Sequence, residues 1–194
     1  MATNVFALIN HSAGKADEAC LELLAAARTM FPDATPTALV LGTGSELAAV
    51  NQEVAGFFPE VWSFDQEALA YPNAEVIRPL LAKVLPASAV VLMAHSTLGM
   101  DLGPGLSVKL GAAYLPDVVG FTSLDASGIQ VVRQEYAGQV STHVLGGLAQ
   151  GAVITLRSGA FQPAGAAGSQ GQIVDKSTWA RRHWPGHRPP AAPR

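Results

Sequence analysis

The sequence predicts a three-layer α/β domain whose mainly parallel sheet continues, toward the C-terminus, as an antiparallel extension. Three observations lead there. From residue 5 to residue 110 short apolar runs alternate with amphipathic stretches, the pattern of parallel strands joined by crossover helices. From residue 118 to residue 157 four strand-like runs follow one another with no helical stretch between them. After Phe161 the periodicity stops. The chain therefore divides into a folded region at 1–162 and a Gly/Pro-rich basic tail at 163–194, expected to be disordered.

The elements follow in order. Val5 to Ile9 are uniformly apolar and make residues 5–10 a buried strand. Ala16, Ala19, Leu23, Leu24 and Ala27 recur at helical spacing, which predicts a helix over 15–30 and puts Cys20 on its buried face. Residues 37–41 are a second strand, 45–54 a helix and 60–65 a third strand. A helix over 74–85 ends before Pro86. Residues 89–94 are the fourth strand, and 103–110 a helix with Pro104 in its first turn and Gly111 as its stop. The strand-like runs 118–124, 129–136, 139–145 and 152–157 supply the antiparallel extension, with turns at Ala126-Ser127-Gly128 and Ala137-Gly138. The whole is a doubly wound, Rossmann-like arrangement.

Composition limits the function. With 194 residues, 49% of them hydrophobic, the chain suits one domain with a substantial core. Its one cysteine excludes an internal disulfide, and no apolar run escapes interruption by Gly, Pro or charge long enough to span a bilayer. The N-terminus lacks the basic start of a secretory signal, so the expected location is the cytoplasm. Lys and Arg number 7 against 14 Asp and Glu in residues 1–162, and 5 against 1 in residues 163–194. An acidic body argues against nucleic acid as its ligand.

Four groups of residues are candidates for chemistry. Gly42-Thr43-Gly44-Ser45-Glu46-Leu47 follows a strand and opens a helix, with Asp65 where a ribose-binding acid would fall. Leu47 stands where that fingerprint needs glycine, and the motif follows the second strand rather than the first. His11 and His95 end the first and fourth strands, neighbours in such a sheet, where Asp65 or Asp101 would have to complete a metal site. A pair of imidazoles bonded to backbone in a crevice is the simpler reading. Ser96 and Thr97 precede a helix whose free N–H groups suit an anion, and either residue also suits a helix cap. Asp101 lies in the same turn.

Several stretches resemble, in order, the N-terminal domain of the electron transfer flavoprotein alpha subunit. They are the first strand ending at His11, the helix around Glu22–Arg28, and Leu39-Val40-Leu41-Gly42-Thr43-Gly44. Ser96-Thr97-x-Gly99-x-Asp101-Leu102-x-Pro104-x-Leu106, Pro116-Asp117-Val118-Val119-Gly120, Tyr136-Ala137-Gly138 and the run from Val153 to Phe161 follow. The family usually has arginine where this chain has Met100 and Gly105. In the family a second alpha-subunit domain supplies most FAD contacts, so the resemblance implies that FAD belongs to the complete assembly and is not held tightly by this chain alone.

The resemblance implies a scaffold that packs on a beta subunit as a heterodimer and supports electron transfer from acyl-CoA or other dehydrogenases. Such a protein is an electron carrier component and not an enzyme, and it neither binds nucleic acid nor inserts in a membrane. The alternative is a stand-alone module binding AMP through Ser96, Thr97 and Asp101. Only Asp125, Arg133 and Glu135 are charged between residues 118 and 156, which makes the extension the expected partner surface. Where its side chain faces the partner, Lys at Val131 or Val144 is expected to weaken association more than folding.

Overall fold

A computed structural model describes residues 4–165, 170–178 and 180. Nine strands form one sheet in the order β11-β5-β4-β1-β6-β10-β7-β8-β9. On one side of β1 (Val5–Leu8) lie β4 (Thr37–Gly42), β5 (Glu60–Asp65) and β11 (Gln172–Asp175), all parallel. On the other side β6 (Val90–Ala94) pairs in parallel with β1 and with β10 (Ala152–Leu156), and β10 pairs in parallel with β7 (Ala113–Asp125). β7, β8 (Gly128–Glu135) and β9 (Val140–Gly146) then run antiparallel. β2 (His11–Ser12) and β3 (Lys15–Ala16) form a separate small ribbon.

The alternation of side chains along a strand assigns the two cores. Val5, Ala7 and Ile9 of the first strand segment join the cluster under α1 (Ala19–Met30) and α2 (Gly44–Ala55), while Phe6 and Leu8 join the one under α3 (Ala74–Val84) and α4 (Thr97–Leu110). Helices thus cover both faces of the parallel region, as its fully buried strands β1, β4, β6 and β10 require.

Four sequence expectations are corrected. The first helix begins at Ala19, because Lys15–Ala16 turns back on His11–Ser12 through Ala13 and Gly14, both at positive φ, the geometry of a tight hairpin. α4 begins at Thr97, six residues before the predicted start, so Pro104 lies inside the helix. Gly99, Gly103 and Gly105 dilute the helical signal there, and each has a packing reason: a Cβ would meet Ala94 carbonyl oxygen, the Tyr114 ring and the Arg78 guanidinium, respectively. The fourth run of the extension, β10, is a central parallel strand inserted between β6 and β7. All five of its residues are buried, without the alternation of a half-exposed strand.

The fourth correction concerns the tail. Gln172–Asp175 pairs with β5, and the Gly171 N–H reaches Ala55 carbonyl at 2.7 Å. Ser177 accepts from the Asp65 N–H at 2.8 Å, and Lys176 Nζ stands 4.2 Å from the centre of the Trp62 ring. The ordered fold therefore extends past residue 162. The remainder of the predicted disordered tail, with Arg181, Arg182, Trp179 and Trp184, lies outside the described residues.

Candidate functional site

The C-terminal ends of β1, β4, β6 and β10 bring the candidate residues to one edge of the sheet. Ser96 caps α4: its hydroxyl accepts from the Gly99 N–H at 3.3 Å and from the Asn10 amide at 3.2 Å. Thr97 is the exposed first residue of α4. Asp101 is four residues on, one turn down the helix and exposed; its backbone carbonyl accepts from the Arg78 guanidinium at 3.1 Å. Ser96 and Thr97 are thus together at the helix start, and Asp101 is apart from them. Arg78 also fills the space beside Gly105, so a guanidinium reaches this face from α3 although α4 carries none.

The glycine-rich turn is similarly self-contained. Asp65 accepts from the Thr43 hydroxyl at 2.9 Å and from the Gly44 N–H at 3.3 Å, so the acid spaced like a ribose ligand instead neutralises the first turn of α2. Gly42 makes room for the His11 ring, since a Cβ there would lie 3.2 Å from its Cε1.

The two histidines diverge. His11 Nε2 is 2.7 Å from Leu41 carbonyl on the β4 side, while His95 Nδ1 is 2.7 Å from the buried Thr155 hydroxyl on the β10 side. Among the described residues no group of three or more His, Cys, Asp and Glu side chains is arranged to hold a metal. Cys20 is buried, and burial, with Glu53 and Asp17 adding, pushes its thiol up to about 11, so it is not a thiolate at neutral pH.

Asp117 and Arg157 have a role that no local sequence pattern marks. Asp117 sits at φ +56, beside the register shift between Ile154 and Leu156. Arg157 Nε donates to its Oδ1 at 2.9 Å, and an Arg157 terminal nitrogen to its Oδ2. The Asp117 N–H reaches Thr155 hydroxyl at 2.9 Å, and Arg157 also reaches the Gln134 side chain at 3.0 Å. His95 Nε2 stands 4.0 Å from Asp117. This cluster fixes the root of the β7–β9 extension, and 40 residues separate its two charged partners.

The Arg157 hydrogen bonds hold the Asp117 carboxyl below the usual carboxylate range, with burial opposing them. A depressed folded-state pKa contributes stability above the unfolded value, about 4, and loses it as pH falls through the folded value. Asp117→Asn is therefore expected to lower Tm at neutral pH, with the gap to the parent narrowing as the medium is acidified. Thermal melts across pH check this; a gap that stays constant into acid contradicts it.

The extension presents two unlike faces. Ile129 and Val131 are fully buried, and Val144 packs partly on the same core. Leu145, 57% exposed, is on the opposite face of β9, which ends the sheet; Val140, 45% exposed, shares the face of Val144 near the start of the strand. The partner-facing role expected for Val131 is thereby corrected: its side chain points into the core. β9 contains no Asp, Glu, Lys, Arg or Pro, so nothing in it blocks pairing along its free edge.

Comparison with known proteins gives a consistent picture. Residues 5–179 match the family described as Electron transfer flavoprotein domain. A protein named Probable electron transfer flavoprotein subunit alpha, mitochondrial, from Cryptococcus neoformans var. neoformans serotype D, is 28% identical over 173 residues, covering 86% of this chain and 48% of the relative. The Electron transfer flavoprotein subunit alpha of Mycobacterium leprae is 31% identical over 176 residues, covering 84% of this chain and 50% of the relative. The chain spans about half the length of these relatives.

Proposed function

This chain belongs to the electron transfer flavoprotein domain family, and from that membership we propose that it is the scaffold and partner-binding part of an alpha-type subunit. In this reading the β7–β9 extension packs against a beta subunit, and the resulting heterodimer takes electrons from acyl-CoA or other dehydrogenases. The chain itself is a carrier component and catalyses nothing. FAD belongs to the whole assembly; these residues do not retain it by themselves.

The observation that carries the reading is the state of the two helix starts at the ligand-binding edge. At each of α2 and α4 one first-turn N–H, that of Gly44 or Gly99, is held by the chain's own Asp65 or Ser96. A phosphate or pyrophosphate would have to displace a carboxylate at one of them and a capping hydroxyl at the other. The same fact weighs against AMP at Ser96, Thr97 and Asp101, where Asp101 adds a further negative charge one turn away.

No helix among the described residues is long and apolar enough to cross a membrane. The cytoplasmic placement is part of the proposal; the Cryptococcus relatives carry the word mitochondrial in their names. An absorption spectrum of the purified 194-residue chain tests the cofactor claim. The expected result is a colourless protein, and stoichiometric bound flavin contradicts it.

A further inference from the structure

A cleft of about 510 Å³ opens beyond the C-terminal ends of β1 and β4, beside the first turns of α1, α2 and α4 and under the loop that precedes α3. That size suits a small organic molecule, and the edge of a doubly wound sheet near its switch point is where such sheets take ligands. Its body is apolar: Leu8, Leu41, Leu69, Ile77 and Leu98 line it. Its polar lining comprises the Asn10, His11, Asp17 and Glu46 side chains and the Ser12 and Tyr71 hydroxyls, which can donate or accept. The Asn10 amide gives one of its two hydrogens to Ser96, and Asn10 Oδ1 is an acceptor. Leu41 carbonyl can only accept, so His11 Nε2 carries the hydrogen of that bond. The Asp17 and Glu46 carboxylates stand at the mouth, exposed and in no ion pair among the described residues. No Lys or Arg lines the cleft among the described residues.

We infer that this cleft binds an amphipathic organic cation, an amine or amidine on a flat or branched apolar body. The apolar walls take the body, and the Asp17 and Glu46 carboxylates take the charged end. An anion of equal shape meets two like charges and has no cation to answer it. The site goes beyond the scaffold role and stands whether or not a partner docks on the extension, which lies toward the other edge of the sheet.

Two probes of matched shape and opposite charge test the assignment. Tryptamine and indole-3-propionate are titrated into the chain by calorimetry, and into the double variant Asp17→Asn, Glu46→Gln. Both substituted residues are exposed, so circular dichroism should show an unchanged fold. The expected result is saturable one-to-one binding of tryptamine, weakened about tenfold or more in the variant, with no saturable binding of indole-3-propionate. The assignment is overturned by the absence of saturable tryptamine binding up to its solubility, by equal binding of both probes, or by unweakened tryptamine binding in the variant.

Discussion

Gly99→Ala should destabilise the fold by about 3 kcal/mol, the upper range for forcing extra volume into a packed contact. A methyl group at residue 99 would overlap the carbonyl oxygen of Ala94 at the end of β6. Backbone cannot rotate out of the way as a side chain can, so α4 would have to lift from the strand it covers. Lifting α4 would also disturb the fully buried Leu102 and Leu106 in the core shared with α3. In an exposed helical position the same change would stabilise by helix propensity alone. Denaturant unfolding decides between these signs. A midpoint equal to or above that of the parent would mean that α4 does not approach β6 as closely as described.

Lysine substitutions at Val131 and Leu145 should part company. Val131 is fully buried between the extension and the helix-covered core. The residues that pack around it are apolar, and an uncompensated buried charge costs on the order of 3–5 kcal/mol. Val131→Lys is therefore expected to unfold the extension or the whole domain. Leu145 is more than half exposed, and Leu145→Lys is expected to change stability by no more than about 0.5 kcal/mol. The charge it adds to β9 should nevertheless reduce association through that edge and face. Unfolding curves combined with light scattering test both halves. Equal stability losses at the two positions would contradict the alternation of faces along β8 and β9.

Much of this architecture is legible in the sequence because buried parallel strands are uniformly apolar. Val5–Leu8, Thr37–Gly42 and Val90–Ala94 appear as short runs bounded by turns, close to their observed limits. Strand order is a different matter. β10 is apolar throughout, which marks a central strand, yet its neighbours in sequence are antiparallel, and local pattern assigned it to them. The start of α4 was concealed by glycines whose purpose is close packing. Propensity registers only the flexibility of a glycine, not the contact that requires it. β11 was hidden by the Gly- and Ala-rich stretch that precedes it and by its own half-exposed, short run.

The site was legible in parts. Ser96 as a helix cap follows from local chemistry. The spacing between Gly42 and Asp65 correctly joined the glycine-rich turn to an acid, but the acid binds the turn itself instead of a ribose. The pairing of Asp117 with Arg157, and the shared cleft of Asp17 and Glu46, depend on residues brought together only by the sheet. No spacing rule along the chain reports such contacts.

The central claim is that the sparsely charged extension is a docking surface for a beta-type subunit. Sedimentation velocity of the chain mixed with an electron transfer flavoprotein beta subunit from the same source tests it most directly, with Leu145→Lys as the comparison. A one-to-one complex that forms with the parent chain and is lost or weakened in the variant is the predicted result. No complex at all, or a complex equally strong with Leu145→Lys, would contradict it.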